Sequence, residues 1–344
     1  MSLFAVHLSY WQSTILRVVF ALVAVLLPAG TLVYAYLFKA VSFMQSRLGP
    51  MEAGPYGSMQ LMAEVGKFLQ KEDIVPSRAD RVLFKAAPFV VLMSTFLLVL
   101  TLPFSVDDTF VNLNTGIYFA MAVSSVSVIG ILMAGWASAN KYSLLGGIRA
   151  AGQLIAYELP MILAVVGVVI QAGTLNMNGI VYAQWHTKIF GWGGIGNPYI
   201  LTQFVAFFIF LVAVQAELTQ TPFDMPIAES ELVAGYLTEY SGLRFLLFFI
   251  GEFATMGVFS AIASILFLGG WTIPWGPAFD SNVYNVLGPI VLLVKMMIVA
   301  FLVVWARFSF PRFREDQLQR LAWKFLIPLA LINITATAIL KVVF

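Results

Sequence analysis

Five carboxylates, Glu217, Asp224, Glu229, Glu231 and Glu239, fall within one stretch of chain, residues 217–243, and the nearest cation is Arg244. The stretch lies between two long apolar runs, and a carboxylate beside hydrocarbon is costly unless it has a partner or a task. Glu158 and Glu252 interrupt apolar runs themselves, as does one cation, Lys295. On the span boundaries given below, Glu158 and Glu252 lie roughly two turns into helices that start on the same side of the membrane. Glu217 closes the span between them, so the three acids can meet within one bundle. Carboxylates crowded together and partly out of water hold protons more tightly and titrate as a coupled group. That chemistry suits a proton relay, or an electrostatic sensor leading from the loops into the membrane. The same residues also suit a plainer role, in which each acid caps a helix or pairs with a cation of another subunit. Lys295 is open in the same way: a charge partner for the acids, a step on the same path, or half of a buried ion pair.

The elements that would position these groups are helices in lipid. The chain has 344 residues, 60% of them hydrophobic and only 10% charged, with a mean hydropathy of +0.91. Soluble domains carry roughly 25% charged residues. No polar stretch is long enough to fold by itself, so the composition implies a single all-α membrane domain over residues 1–344. About 20 apolar residues cross a bilayer as a helix. Eight candidate spans lie near 14–38, 86–104, 116–136, 152–173, 199–216, 244–270, 285–306 and 322–341. Pro28, Gly30, Pro160, Gly257 and Pro328 fall within or beside them, which membrane helices tolerate. Lys and Arg residues concentrate on or beside the odd-numbered loops, with only Lys188 on the even ones. The positive-inside rule therefore places the odd loops in the cytoplasm and both termini outside. Residues 57–71 put Leu61, Met62, Val65, Phe68 and Leu69 near one face, as in an amphipathic helix at the cytoplasmic surface. Residues 174–198 read as an outer loop, with Trp185 and Trp192 at interface depth. The N-terminus lacks the pattern of a cleaved signal.

Several function classes find no support in the residues. The net charge of +2 and the absence of a basic patch argue against nucleic acid. With no cysteine, the chain has no thiolates for an iron–sulfur cluster or a zinc site. Gly191-Trp192-Gly193-Gly194-Ile195-Gly196 matches a dinucleotide fingerprint literally, but no strand precedes it. Asn333-Ile334-Thr335 lies inside a span, where glycosylation cannot reach. His7 and His186 are too few for a haem or metal centre, and no flavin motif is present. Electrons for any redox role must come from other chains.

Along nearly its whole length the chain resembles a known family, the H subunit of NADH–quinone oxidoreductase (respiratory complex I). The resemblance rests on Gln45-Ser46-Arg47-Leu48-Gly49-Pro50, Lys71-Glu72-Asp73-Ile74-Val75-Pro76, Gly135-Trp136-Ala137-Ser138 and Lys141-Tyr142-Ser143-Leu144-Leu145-Gly146. It continues through Ala156-Tyr157-Glu158-Leu159-Pro160, residues 222–242, Phe267-Leu268-Gly269-Gly270-Trp271 and Pro311-Arg312-Phe313-Arg314-Glu315-Asp316-Gln317-Leu318. The resemblance implies a protein of the bacterial inner membrane, where a quinone chamber meets peripheral subunits bearing iron–sulfur clusters. It implies chamber-side roles for Gln45, Arg47, Glu64, Lys67 and Phe223. It implies coupling roles for Glu158, Glu217, Asp224, Glu229, Glu231, Glu239 and Glu252, with Lys295 as a further candidate. Quinone would be the substrate, and this chain would hold no metal, flavin or cluster.

The chain departs from the family pattern in places. Leu37-Phe38 stands for Glu-Arg, Met51-Glu52 for Asn-Arg, Thr219-Gln220 for Asn-Arg, and Ile227 for Glu. Cations and acids are both lost, and Glu217 is expected to have less opposite charge beside it. The departures leave open a divergent complex with another quinone or electron donor. Two rivals share the same acids: a stand-alone ion or solute transporter, and a membrane anchor of a related redox complex.

Overall fold

A computed structural model of the chain describes residues 30–106, 109–186, 198–273 and 281–343, with Trp11, Gln12, Ile15, Val19 and Val23. His7, Pro28, Lys188, Trp192, the glycine-rich 191–196 motif and most of the first expected span lie outside the described residues. Ten helices dominate what is described: α1 Gly30–Met44, α2 Gln60–Gln70, α3 Arg81–Val99, α4 Gly116–Ala137 and α5 Lys141–Ala172. They continue as α6 Met177–His186, α7 Phe204–Glu217, α8 Gly242–Phe267, α9 Ser281–Ser309 and α10 Glu315–Val343. Six of these, α3, α4, α5, α8, α9 and α10, are long and apolar enough to cross a bilayer. The only strand-like pairing among the described residues is an isolated bridge between Pro103 and Thr109. The protein is an all-α polytopic membrane protein.

Start signals are local. Asp80 caps α3, its carboxylate accepting from the Val82 and Leu83 amides at 3.1 and 3.3 Å. Asn140 caps α5 through the Tyr142 amide at 2.9 Å. These bonds satisfy amides that a helix N-terminus otherwise leaves unpaired. At the other end of α5, Gly173 turns the chain out of the helix at φ +75°.

Helix α8 is the centre of the molecule. It is apolar all round and buried on all sides along most of its length, as such a helix must be. Its partners include α3, α9, α2, α6 and α7. Helices α4 and α5 approach closely where Gly135 faces Gly147: a Cβ on Gly147 would lie 3.3 Å from the Gly135 Cα. Small residues permit such contacts in lipid. Helix α10 is far less enclosed and presents Leu331, Ile332, Ile339 and Leu340 outward.

Three elements differ from the sequence expectation. Helix α5 begins at Lys141, not near 152: one face of its first turns, Ser143, Gly146, Gly147 and Ala150, packs on protein, and Lys141 and Arg149 weaken the hydropathy signal. Glu158 therefore lies past the middle of the helix, roughly 26 Å from its start at ~1.5 Å per residue. Helix α7 has only 14 residues, short of the roughly 20 a bilayer requires. Residues 174–198 are not wholly a loop, because Met177–His186 is helical. Its Trp185 packs against Trp271 and Tyr284, with ring centroids 5.9 and 5.4 Å away. Trp271 is fully buried and donates its indole N–H to Asn178 at 3.1 Å. Trp185, Trp271 and Tyr284 thus pack together between helices.

Amphipathic α2 is present over Gln60–Gln70, within the expected stretch. Phe68 stacks on Phe245 of α8 at 5.7 Å, while Met59, Met62 and Leu69 stay exposed.

Candidate functional site

The acidic segment after α7 is a folded clamp rather than a free loop. Its backbone passes under α5 at Gly146, where an added Cβ would meet Pro226 O and Tyr236 N at 2.7 Å each. Gln153 of α5, 2% exposed, donates through its Nε2 to both Ala216 O and Phe223 O at 2.7 Å. Thr221 donates to Arg307 O at 2.8 Å and the Phe313 amide to Pro222 O at 2.9 Å, tying the segment to the end of α9. Three of its non-glycine residues, Thr219, Ala228 and Val233, have positive φ. Each such residue costs on the order of 1 kcal/mol and persists only where the surroundings dictate it.

These constraints gather four of the expected acids in two pairs. Glu158 of α5 lies close enough for its charge to bear on Glu217 at the end of α7. Asp224 of the segment and Glu252 of α8 influence one another in the same way. Glu158 accepts a hydrogen bond from Ser125, at a break in the helical pattern of α4 where Ser124 and Ser125 both turn their hydroxyls back to Met121 O. Glu252 accepts from Gln220 Nε2 at 2.8 Å and meets Arg307 Nη1 at 3.4 Å. Burial pushes the Asp224 carboxyl up to about 6, against the pull of Arg312 and Arg307. The buried Tyr236 hydroxyl is pushed above its ordinary range by burial, and next by Glu252 and Asp224.

The other acids take separate positions. Glu231 is 52% exposed and bracketed by Arg149 at 2.7 Å and Arg312 at 3.5 Å. The Arg149 hydrogen bond and the Arg312 charge lower its proton affinity. Glu239 accepts from Asn140 at 2.6 Å, and Glu229 is exposed at the start of a one-turn helix. Arg244, the cation nearest these acids in sequence, instead bonds Asp73 at 2.9 Å. It also lies over the Phe84 ring at 5.6 Å. The negative charge is thus offset by arginines from α5, α9 and the segment after α9, which sequence proximity alone does not reveal.

Lys295 stands apart from the acids. Its ammonium is 7% exposed and donates to the carbonyls of Leu268, Gly270 and Thr272, the first two at 2.6 and 2.8 Å. A cation there closes the C-terminal end of α8, where carbonyls lack intrahelical donors. Among the described residues it forms no ion pair, so its place in the fold is that of a helix cap.

The expected chamber residues differ in exposure. Gln45, Arg47 and Lys67 are exposed and Glu64 is half-buried. Glu64 accepts from Gln60 at 3.2 Å. Phe223 is enclosed between Tyr157 and Phe313, with ring centroids 5.1 and 5.5 Å away. At the altered positions, Leu37 and Phe38 pack against the core. Lys39 donates to Pro50 O at 2.7 Å and reaches the Met51 sulfur. Gln220 partners Glu252, whereas the sequence pointed to Glu217 as the acid affected by its substitution. Sequence reasoning missed Ser125, Gln153, Gln220, Arg307 and Arg312 as neighbours of the acids. Polar amides and hydroxyls interrupting apolar runs were the available signal.

A family model described as NADH dehydrogenase matches residues 16–338. The chain belongs to the NADH dehydrogenase family. Among its relatives is the NADH-quinone oxidoreductase H subunit of Brevibacillus brevis, 41% identical over 96% of this chain and 94% of its own. The protein of the same name from Bacillus mycoides is 44% identical over 89% of this chain and 87% of its own. Membership covers α1 to α10 and every acid of the clamp, so the acid pairs belong to the family region rather than to an appended domain.

Proposed function

We propose that the chain is the quinone-chamber and coupling subunit of a proton-translocating NADH–quinone oxidoreductase in a bacterial inner membrane. Quinone is its substrate. Its partners are other membrane subunits and peripheral subunits bearing iron–sulfur clusters, with the lipid bilayer around them. The observation that carries the reading is the pairing of Glu158 with Glu217 and of Asp224 with Glu252 inside a tightly held clamp. Two acids near one another in each pair exchange protons with modest rearrangement, and a clamp bonded to α5, α7 and α9 transmits movement into them. The exposed residues of α1 and α2, with Gln45, Arg47, Glu64, Lys67 and the enclosed Phe223, form the quinone side. Odd-numbered loops face the cytoplasm and the termini the outside, by the distribution of Lys and Arg.

Glu158→Gln and Glu217→Gln should each lower proton translocation per quinone reduced by tenfold or more in reconstituted vesicles, while the variant chain still copurifies with its partners. Glu231→Gln, already paired and exposed, should cost less. Unchanged pumping in both of the first two variants would reject the reading. Purification of a stable, stand-alone chain would favour the transporter instead.

A further inference from the structure

We infer that Gln220 is a positioning residue serving Glu252 in both of its protonation states, its side-chain amide turning over as the carboxyl gains or loses a proton. The functional weight of the pair rests on the coupling role proposed above for Glu252; its hydrogen-bond chemistry does not. Gln220 is 3% exposed. Its Nε2 donates to Glu252 Oε1 at 2.8 Å. Its own Oε1 is buried and has no hydrogen-bond partner among the described residues. A buried acceptor left in that condition is a standing cost.

A carboxylate only accepts hydrogen bonds, whereas a protonated carboxyl also donates one. The terminal torsion of glutamine is broad and roughly two-fold. Half a turn therefore exchanges Nε2 for Oε1 in nearly the same place without moving the backbone. With Glu252 ionised, the Gln220 N–H serves the carboxylate and the amide oxygen is stranded. With Glu252 protonated, the turned amide accepts the carboxyl O–H, and its N–H groups take the unpaired place that the oxygen held. The proton adds to a Glu252 oxygen, and only hydrogen bonds change besides.

Among the described residues that hydrogen-bond Glu252, Gln220 and Arg307, only the amide can play both parts. Arg307, from α9, has its Nη1 3.4 Å away and can only donate. On the clamp side, Asp224 and Tyr236 lie within reach of the Glu252 charge. A guanidinium at position 220 would suit the ionised form alone. The amide makes the site two-state.

Infrared difference spectra of the purified membrane assembly, taken across a pH titration without quinone or turnover, test this directly. Wild type should show an acid carbonyl band, absent in Glu252→Gln, at the frequency of a hydrogen-bond-donating carboxyl, with an amide band that moves as it appears. In Gln220→Met, which keeps the volume and removes the acceptor, the acid band should shift to higher frequency and the amide component should vanish. An acid band at the same frequency in both proteins overturns the inference. If the Met variant does not assemble, wild type carrying carbonyl-labelled glutamine decides: an isotope-shifted amide band that follows the acid band supports it, and a silent amide region overturns it. Because no turnover is involved, these outcomes are independent of the pumping assay, whose failure would sink the coupling role alone.

Discussion

Asp224 sits where burial and charge oppose each other. Burial pushes its carboxyl up to about 6 although Arg312 and Arg307 act the other way. The folded state thus binds this proton more tightly than the unfolded chain does. Stability from this group is full below the unfolded value near 3.8, falls as pH rises to about 6, and is flat above it. The difference is at most about 3 kcal/mol. Asp224→Asn should therefore raise Tm over wild type at about pH 7.5 and leave it unchanged at about pH 4. Equal Tm values at the higher pH would contradict the burial argument. Gln153 offers a second measure. Gln153→Met removes two buried hydrogen bonds and should cost roughly 1–3 kcal/mol, because the Phe223 carbonyl loses this donor while Ala216 O keeps the Thr219 amide; unfolding in denaturant reads the loss. The acids themselves were legible in the sequence, since their chemistry is conspicuous in an apolar chain. Their partners were not: Gln153, Gln220 and Arg307 are distant in sequence from what they touch.

Among the elements, the clamp is the most demanding. Gly235 has φ +54° and its Cβ would lie 1.7 Å from the Pro226 carbonyl oxygen. Gly235→Ala therefore forces Pro226 to move and adds roughly 1–2 kcal/mol of left-handed strain. The expected result is protease sensitivity between α7 and α8 and loss of coupling, with the helices retained by circular dichroism. Gly146→Val should act similarly from the α5 side. Helix existence was readable because about 20 apolar residues in lipid have few alternatives. Helix limits were less so. Hydropathy reports what faces lipid, and the first turns of α5 face Pro226, Gly235 and Tyr236 instead. The helix Met177–His186 was hidden for a related reason: it is too short to cross and is held by aromatic packing with Trp271 and Tyr284.

For the whole molecule, sidedness is open to a clean measurement, because the chain has no cysteine of its own. A single cysteine at Tyr142 should be labelled only from the cytoplasmic face, and one at Thr174 only from the opposite face; the reverse pattern would invert the orientation. By itself, the sequence determined that this is a helical membrane protein with its acids concentrated beside α7 and α8, and which family it resembles. Composition and apolar run length suffice for that, since lipid admits so few backbone solutions. Only the tertiary structure decided which charges meet. Arg149, Arg307 and Arg312 reach Glu231 and Glu252 across three elements, Arg244 turns away to Asp73, and Lys295 caps α8. Charge pairing depends on distances of a few ångströms, and helix packing, rather than order along the chain, sets those distances.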